Sequence, residues 1–341
     1  MQESTALLDS ASLEALVGKK NLLAFSGGVD SSALFFLLLE AGVDFDIALV
    51  NYNTRDSSKD EEGYAKELGK KYSKKCFTVS VEAPKKNFEA EARRIRYEFF
   101  EQIITEYGYD NLLTAHQLND RLEWFLMRLA KGAGITELIG SGSKSVQKKA
   151  GYTVVKPLFK TARKTIHDYL ESSNIKYFED SSNEDKKYER NAIRAEFAMP
   201  FVQKYESGIR RSFDILESQA SLFRQDFFEQ DSLIVFRSTG EVVDGSNIAL
   251  ALKKLGYLIS EHQRAEILKN YDAVVGANFA VSKNRNGLIF ISPFIKVHMD
   301  EKFKDMCRRL NIPPKNRGYL FASGLDVRSL AVLLEESFSL L

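Results

Sequence analysis

Residues 24–32 read Ala24-Phe25-Ser26-Gly27-Gly28-Val29-Asp30-Ser31-Ser32. The stretch follows a short apolar run, 22–25, and leads into another, 33–39. This pattern predicts a strand, a tight glycine turn and then a helix. Glycines let backbone amides come close to an anion. A helix N-terminus adds unpaired N–H groups and the positive end of the peptide dipole. Ser26, Ser31 and Ser32 supply hydroxyl donors, and the loop reads as a phosphate cradle. Asp30 does not belong in a pure anion site, but it fits one shared with a divalent cation.

No Gly-Lys-Ser/Thr follows the loop, so the Walker A reading loses its support. The hexapeptide Ser26-Gly27-Gly28-Val29-Asp30-Ser31 instead resembles the pyrophosphate loop of N-type ATP pyrophosphatases. Those enzymes cleave ATP between its α and β phosphates and adenylate an oxygen of a substrate. A nucleophile then displaces AMP.

Outward from the loop, strand-like runs at 45–51, 77–81, 111–115 and 153–156 alternate with amphipathic stretches at 32–40, 59–72, 87–107, 117–130 and 162–173. Repeated βα units predict an α/β fold with a mainly parallel, Rossmann-like sheet covered on both faces. Ligands then sit beyond the C-terminal strand ends, where the loop after Phe25, Asn51 to Arg55, and His116 to Asp120 all fall. The catalytic domain is expected over 1–205. A smaller α/β accessory domain is expected over 210–341, with a strand at 233–236, helices at 249–255 and 261–270, and a hairpin across 276–291.

The chain has 341 residues, and 48 basic side chains nearly cancel 47 acidic ones. Its length suits about two domains. No apolar run is long enough to span a membrane. Residues 1–16 carry Glu3, Asp9 and Glu14 without a basic leader, so a cytoplasmic location is expected. Cys76 and Cys307 form no metal or redox spacing, and each is expected to be a buried small hydrophobe. Basic residues gather at Arg93-Arg94-Ile95-Arg96, at Arg121, Arg128 and Lys131, at Lys144, Lys148 and Lys149, and at Lys156, Lys160, Arg163 and Lys164. Either a local positive face or ordinary solvated helix faces would account for them.

A second constellation is His116, Asp120 and Glu123, spaced i, i+4 and i+7 after the fourth strand. That spacing places all three on one helix face. Two carboxylates facing a phosphate loop can hold Mg²⁺, bind an ammonium or accept a proton. A third is Asp180-x-x-Asn183 with Arg190-Asn191-Ala192-Ile193-Arg194. Arg190 and Arg194, one turn apart, suit bidentate contacts to phosphate or carboxylate.

Together these stretches resemble the tRNA(Ile)-lysidine synthetase family from about Asn21 to Arg194. The resemblance also covers Ala92-Arg93-x-x-Arg96-Tyr97, Arg128-x-x-Lys131-Gly132-x-Gly134 and Lys156-Pro157-Leu158. It continues more weakly through Leu255-Gly256 to Gln263 and through 309–317. Five positions depart from the family pattern. Tyr52-Asn53 stands for His-Gly, Asn119 for the first of two aspartates, Arg121 for a glutamine and Trp124 for a threonine.

The resemblance implies that ATP adenylates the wobble cytidine of an isoleucine tRNA with a CAU anticodon. The ε-amine of free L-lysine then attacks, forming lysidine. It implies ATP contacts from Ser26, Gly27, Gly28, Val29, Asp30, Ser31, Ser32, Asn51 and Arg55, and Mg²⁺ on Asp30 and Asp120. Catalysis falls to Asp30, His116, Asp120 and Glu123. Lysine and tRNA fall to Arg93, Arg96, Arg128, Lys131, Arg190, Asn191 and Arg194. Lys283, Arg285, Arg308, Arg309, Lys315 and Arg317 are candidate phosphate contacts in the accessory domain. A homodimer is compatible with this reading. A thiolation enzyme would need more cysteines, and GMP or NAD synthetases would lack the Arg190 and Arg194 signature. A non-catalytic, nucleotide-regulated RNA-binding module is the alternative of another class.

Overall fold

A computed structural model describes residues 5–53, 57–84, 88–139, 145–179, 189–223 and 225–338. By contact density the chain divides into two compact units, Met1–Glu217 and Ser218–Leu341.

The first unit holds a six-stranded sheet in the order β3-β2-β1-β4-β6-β5. The strands are β1 (Asn21–Ala24), β2 (Asp46–Asn51), β3 (Cys76–Ser80), β4 (Asn111–Leu113), β5 (Val146–Lys148) and β6 (Thr153–Val155). All neighbours pair in parallel except β5, which runs antiparallel to β6. That edge strand was not expected, because three half-exposed residues carry no apolar alternation. Helices α1 (Ser10–Leu16), α2 (Val29–Glu40), α3 (Ser57–Lys71), α4 (Phe88–Tyr107), α5 (Leu118–Leu129), α6 (Ile135–Leu138) and α7 (Arg163–Ser172) complete the layers. Alternate strand residues face opposite layers. Leu23, Ile47 and Leu49 pack with Leu34, Phe35 and Leu38 of α2 and Leu68 of α3. Leu22, Ala48 and Leu112 pack with Phe100, Ile103 and Ile104 of α4.

The strand order reverses between β1 and β4. In such sheets the crevice for ligands opens beyond the C-terminal ends of the strands at that point. The phosphate loop leaves β1 there, and the His116 segment leaves β4 there.

Helix α8 (Glu189–Ile193), a π-helical turn (Arg194–Ala198) and α9 (Met199–Leu222) follow. The expected gap at 206–209 lies inside α9, which is kinked at Tyr205. The length of α9 up to Glu217 belongs to the first unit. There Phe213 packs edge-on against Phe125, with ring centroids 5.6 Å apart. Arg121 Nη2 meets Glu217 Oε1 at 2.7 Å, and Lys160 Nζ meets Asp214 Oδ1 at 3.1 Å.

The second unit is a five-stranded antiparallel sheet in the order β7-β8-β11-β10-β9. Its strands are β7 (Phe228–Gln230), β8 (Leu233–Arg237), β9 (Asp272–Val275), β10 (Phe279–Lys283) and β11 (Leu288–Pro293). Helices α10 (Glu241–Lys254) and α11 (Glu261–Asn270) cover one face through Ile248, Leu252 and Ile267 against Ile234, Phe236 and Ile289. Helices α12 (Glu301–Arg309), α13 (Pro314–Ser323) and α14 (Val327–Phe338) cover the other through Cys307, Leu320 and Leu330 against Leu233, Val235 and Phe290. The expected hairpin is β10–β11. Cys307 is buried as expected, while Cys76 is only half-buried.

Candidate active site

The phosphate loop is held by its own hydroxyls. Ser31 Oγ accepts the Ser26 amide at 3.2 Å and donates to the Gly28 carbonyl at 3.2 Å. Ser32 Oγ donates to the Gly27 carbonyl at 3.1 Å. Gly27 has φ +75°, which favours glycine, and a Cβ there would meet the Phe178 ring at 3.3 Å. The Phe178 amide donates to the Gly27 carbonyl at 2.9 Å, so residues after α7 brace the loop from outside. Sequence reading missed Phe178, because a lone aromatic in a polar stretch gives no such signal. Val29 opens α2 with Gly28 as an N-cap that makes no side-chain hydrogen bond, leaving this helix end available to an anion.

Asp30 sits in the first turn of α2. Burial, reinforced by the nearby Asp120 charge, pushes its carboxyl up to about 7 against the pull of Arg163 and Arg194. Its Oδ1 is buried without a hydrogen-bond partner among the described residues. An unpartnered, buried carboxylate oxygen is a hard donor that fits Mg²⁺.

His116 is not on a helix. Helix α5 starts at Leu118 with Gln117 as its N-cap, because the Gln117 side chain and Asp120 close a capping box. The His116 imidazole pairs with Thr114 Oγ1 at 2.9 Å. Burial, together with the charges of Lys156, Arg93 and Arg190, lowers its pKa to about 4 against the pull of Asp120. It is therefore neutral at physiological pH.

Asp120 and Glu123 do share one face of α5, and both arginines meet them there. Asp120 Oδ2 accepts the Gln117 amide at 3.1 Å. Its Oδ1 takes Arg190 Nη2 at 3.1 Å and Arg194 Nη2 at 3.2 Å. Glu123 takes Arg190 Nε at 3.0 Å and Arg194 Nε at 2.6 Å. Burial opposes ionisation of Asp120, but His116, Arg190, Arg194 and the Gln117 amide outweigh it and hold the carboxyl below its usual value. Arg194 opens the π-helical turn, a distortion found frequently at functional sites.

Two of the departures from the family pattern, Asn119 and Arg121, have local reasons. Asn119 is buried, and its Oδ1 accepts the Arg163 amide at 3.0 Å, capping α7. Arg121 is 3% exposed, with its guanidinium 4.9 Å from the Phe159 ring centre and 4.2 Å from that of Phe213. It therefore belongs to the packing of α9, not to a positive face. Lys156 is also buried, at 6% exposed, and its amine is lowered to about 8 by burial and by Arg93 and Arg121. Neither Lys156 nor Arg163 was singled out as a site residue, although both charges are felt at the site.

Other expected residues have partners of their own, although the Arg93 charge is still felt at His116. Asn51 donates to Glu62 Oε2 at 2.9 Å and accepts the Asn53 amide at 2.9 Å, so its side chain shapes the bend after β2. Arg93 lies over the Tyr97 ring at 4.8 Å, and Arg96 acts on the Tyr52 hydroxyl. Arg128 and Lys131 mark the far end of α5, and Asn191 lies between the two arginines of the third constellation. Arg55, Lys144, Asp180 and Asn183 fall outside the described residues. In the second unit, Arg317 donates to the Ile312 carbonyl at 2.8 and 2.9 Å, and Lys315 pairs with Asp272 at 2.8 Å. Arg309 is largely exposed and pairs with Asp305 at 2.7 Å.

The strand order and the serine-glycine loop at the switch point define a PP-loop, N-type ATP pyrophosphatase domain. The PP-loop domain model matches residues 4–200. A tRNA(Ile)-lysidine synthase of Wolinella succinogenes is 43% identical over 317 residues, 92% of this chain and 96% of that protein. One of Helicobacter pylori is 38% identical over 320 residues, 92% of this chain and 93% of that protein. The chain belongs to the tRNA(Ile)-lysidine synthase family. Among solved structures, the U34-tRNA thiolase NcsA of Methanococcus maripaludis shares the fold. Its TM-score is 0.51 at 17% identity, covering 63% of this chain and 78% of that one.

Proposed function

We propose that the chain is a carbon–nitrogen ligase that uses ATP and free L-lysine to convert the wobble cytidine of a CAU-anticodon isoleucine tRNA to lysidine. The observation that carries this reading is the four-membered charge cluster beside the phosphate loop. Asp120 and Glu123 provide two anions, and Arg190 and Arg194 two cations. A free amino acid presents an ammonium and a carboxylate, so it can enter by exchanging partners with such a cluster. The ammonium goes to Asp120 and Glu123, and the carboxylate to Arg190 and Arg194.

In the first step the C2 oxygen of cytidine bonds to the α-phosphorus of ATP, and pyrophosphate leaves. The loop amides from Gly27 onward and the α2 N-terminus hold the departing charge. Asp30 would hold Mg²⁺, which supplies charge neutralisation on the phosphates; Asp120 can join only by releasing arginine contacts. In the second step the uncharged ε-amine of lysine bonds to C2, the C2–oxygen bond breaks, and AMP leaves. The amine sheds a proton in the process, and the carboxylates at the site can accept it. His116, being neutral, can hydrogen-bond the reacting groups without repelling a cation.

The reacting cytidine must leave the anticodon stack to reach the loop. Residues 210–341 are assigned to tRNA docking, with Lys283, Arg285, Arg308 and Arg309 as phosphate contacts. Arg317 and Lys315 contribute mainly to the fold of that unit. Among the described residues, no helix is long and apolar enough to cross a membrane. The reaction is proposed for the cytoplasm, where tRNA and lysine meet, and a homodimer is compatible with it.

The deciding assay measures AMP and pyrophosphate release with an isoleucine tRNA transcript, with and without lysine. Release of AMP that depends on both lysine and the cytidine supports the reading. Release that ignores lysine overturns it.

A further inference from the structure

Asp120, Trp124 and Arg128 are spaced i, i+4 and i+8 on α5, so they form one stripe along the helix. Asp120 lies inside the site. Trp124 is about 6 Å farther along the axis and Arg128 about 12 Å, at the usual rise per residue. The Arg128 guanidinium lies over the Trp124 indole, 4.4 Å from the ring centre. The indole is nevertheless 42% exposed, whereas its neighbour Glu123 is 1% exposed. Past Arg128, Lys131 pairs with Glu189 at 3.5 Å, with both side chains 58% exposed. A pair so exposed contributes little and can be exchanged for a phosphate.

We infer that Trp124, backed by Arg128, is a stacking platform for an unpaired base of the substrate RNA loop next to the reacting cytidine. This rests on the proposed function. A base laid on the exposed indole face would remove apolar surface from water next to the charge cluster. Aromatic faces bind unstacked bases of single strands, and flanking cations hold the connecting phosphates. A duplex presents no free base face, so the platform selects a loop. The indole follows in sequence directly after Glu123, and the stripe runs outward from the cluster. A base stacked there therefore fixes the register of the neighbouring nucleotide over the phosphate loop.

Trp124 is the one tryptophan of the chain, so tryptophan emission reports on this position alone. The test titrates the full chain with a synthetic anticodon hairpin bearing CAU and with a blunt duplex of equal length. The hairpin should quench the emission, and the duplex should leave it unchanged. Trp124→Ser should raise the KM for the hairpin about tenfold, and Trp124→Phe should stay within about threefold of the parent, because phenylalanine still stacks. The KM for ATP, measured alongside, separates lost RNA binding from a damaged fold. If the parent forms lysidine on the hairpin while its emission stays unchanged at saturation, the platform is wrong and the reaction stands. If the parent shows no lysine-dependent AMP release with the full isoleucine tRNA transcript, the reaction is wrong, and quenching still decides whether the loop stacks. Emission that shifts with protein concentration in the absence of RNA would assign the indole to a second copy of the chain and overturn the inference.

Discussion

Arg194 Nε lies 2.6 Å from Glu123 Oε1 at a site where the Glu123 side chain is 1% exposed. Arg190 reaches the second oxygen of the same carboxylate at 3.0 Å. Breaking one member of such a buried cluster leaves a charge without its partner, which is more damaging than replacing the whole set. The proposed entry of lysine would use the same property, since the ligand would return every charge that it displaces.

Glu123→Gln should therefore raise the KM for lysine at least tenfold, while adenylated RNA still accumulates. It should also lower the thermal midpoint by a few degrees, because Arg194 keeps only Asp120. Single-turnover assays that follow adenylate and lysidine separately give the answer. Lysine use at the parent rate would remove Glu123 from the binding site.

Asp30→Asn keeps the size of the side chain but removes the charge on an oxygen that has no hydrogen-bond partner among the described residues. ATP–pyrophosphate exchange should fall below detection while circular dichroism stays at the parent value. Exchange at the normal rate would show that Asp30 holds no cation.

Lys156 gives a pH signature. Its amine titrates near 10.5 in an ordinary setting and near about 8 when buried in the fold. Between those values the unfolded chain binds more protons, so stability should rise with pH through that window. Below about 8 both states are charged, and the full penalty, roughly 3 kcal/mol, persists. Lys156→Met should be more stable than the parent at pH 7, and its urea-unfolding profile should lack the rise at alkaline pH. Parallel profiles for the two proteins would refute the assignment.

Asn119→Ala removes the acceptor for the first amide of α7, at 3.0 Å. A lost cap of this kind costs about 1 kcal/mol. Denaturant titration measures it directly, and an unchanged midpoint would mean that water replaces the side chain.

A chain ending at residue 205 loses Phe213, Asp214 and Glu217, and with them both the aromatic cover and the carboxylate partner of the Arg121 guanidinium. A chain ending at residue 222 keeps all three. The longer fragment should unfold cooperatively at the higher temperature and retain ATP binding. Neither should modify tRNA, because both lack the second unit. Equal melting of the two fragments would deny α9 its bracing role.

Much of this was legible in residue order alone. Strand β1, the glycine turn and helix α2 are local: apolar runs and glycines fix them within a dozen residues, so the phosphate loop could be read directly. The i, i+4 and i+7 spacing gave Asp120 and Glu123 a common face, and that face exists. The same spacing misplaced His116, because the Gln117–Asp120 capping box starts the helix two residues later. Sequence could not show that Arg190 and Arg194 close on those carboxylates, since that contact spans 67 to 74 positions. Nor could it show that Arg121 and Lys156, read as surface charge, are buried. Periodicity reports which face a residue shares with its near neighbours. Burial and ion pairing are set by which distant segment covers that face, and only the packing of α8, the π-helical turn and α9 against α5 decided that.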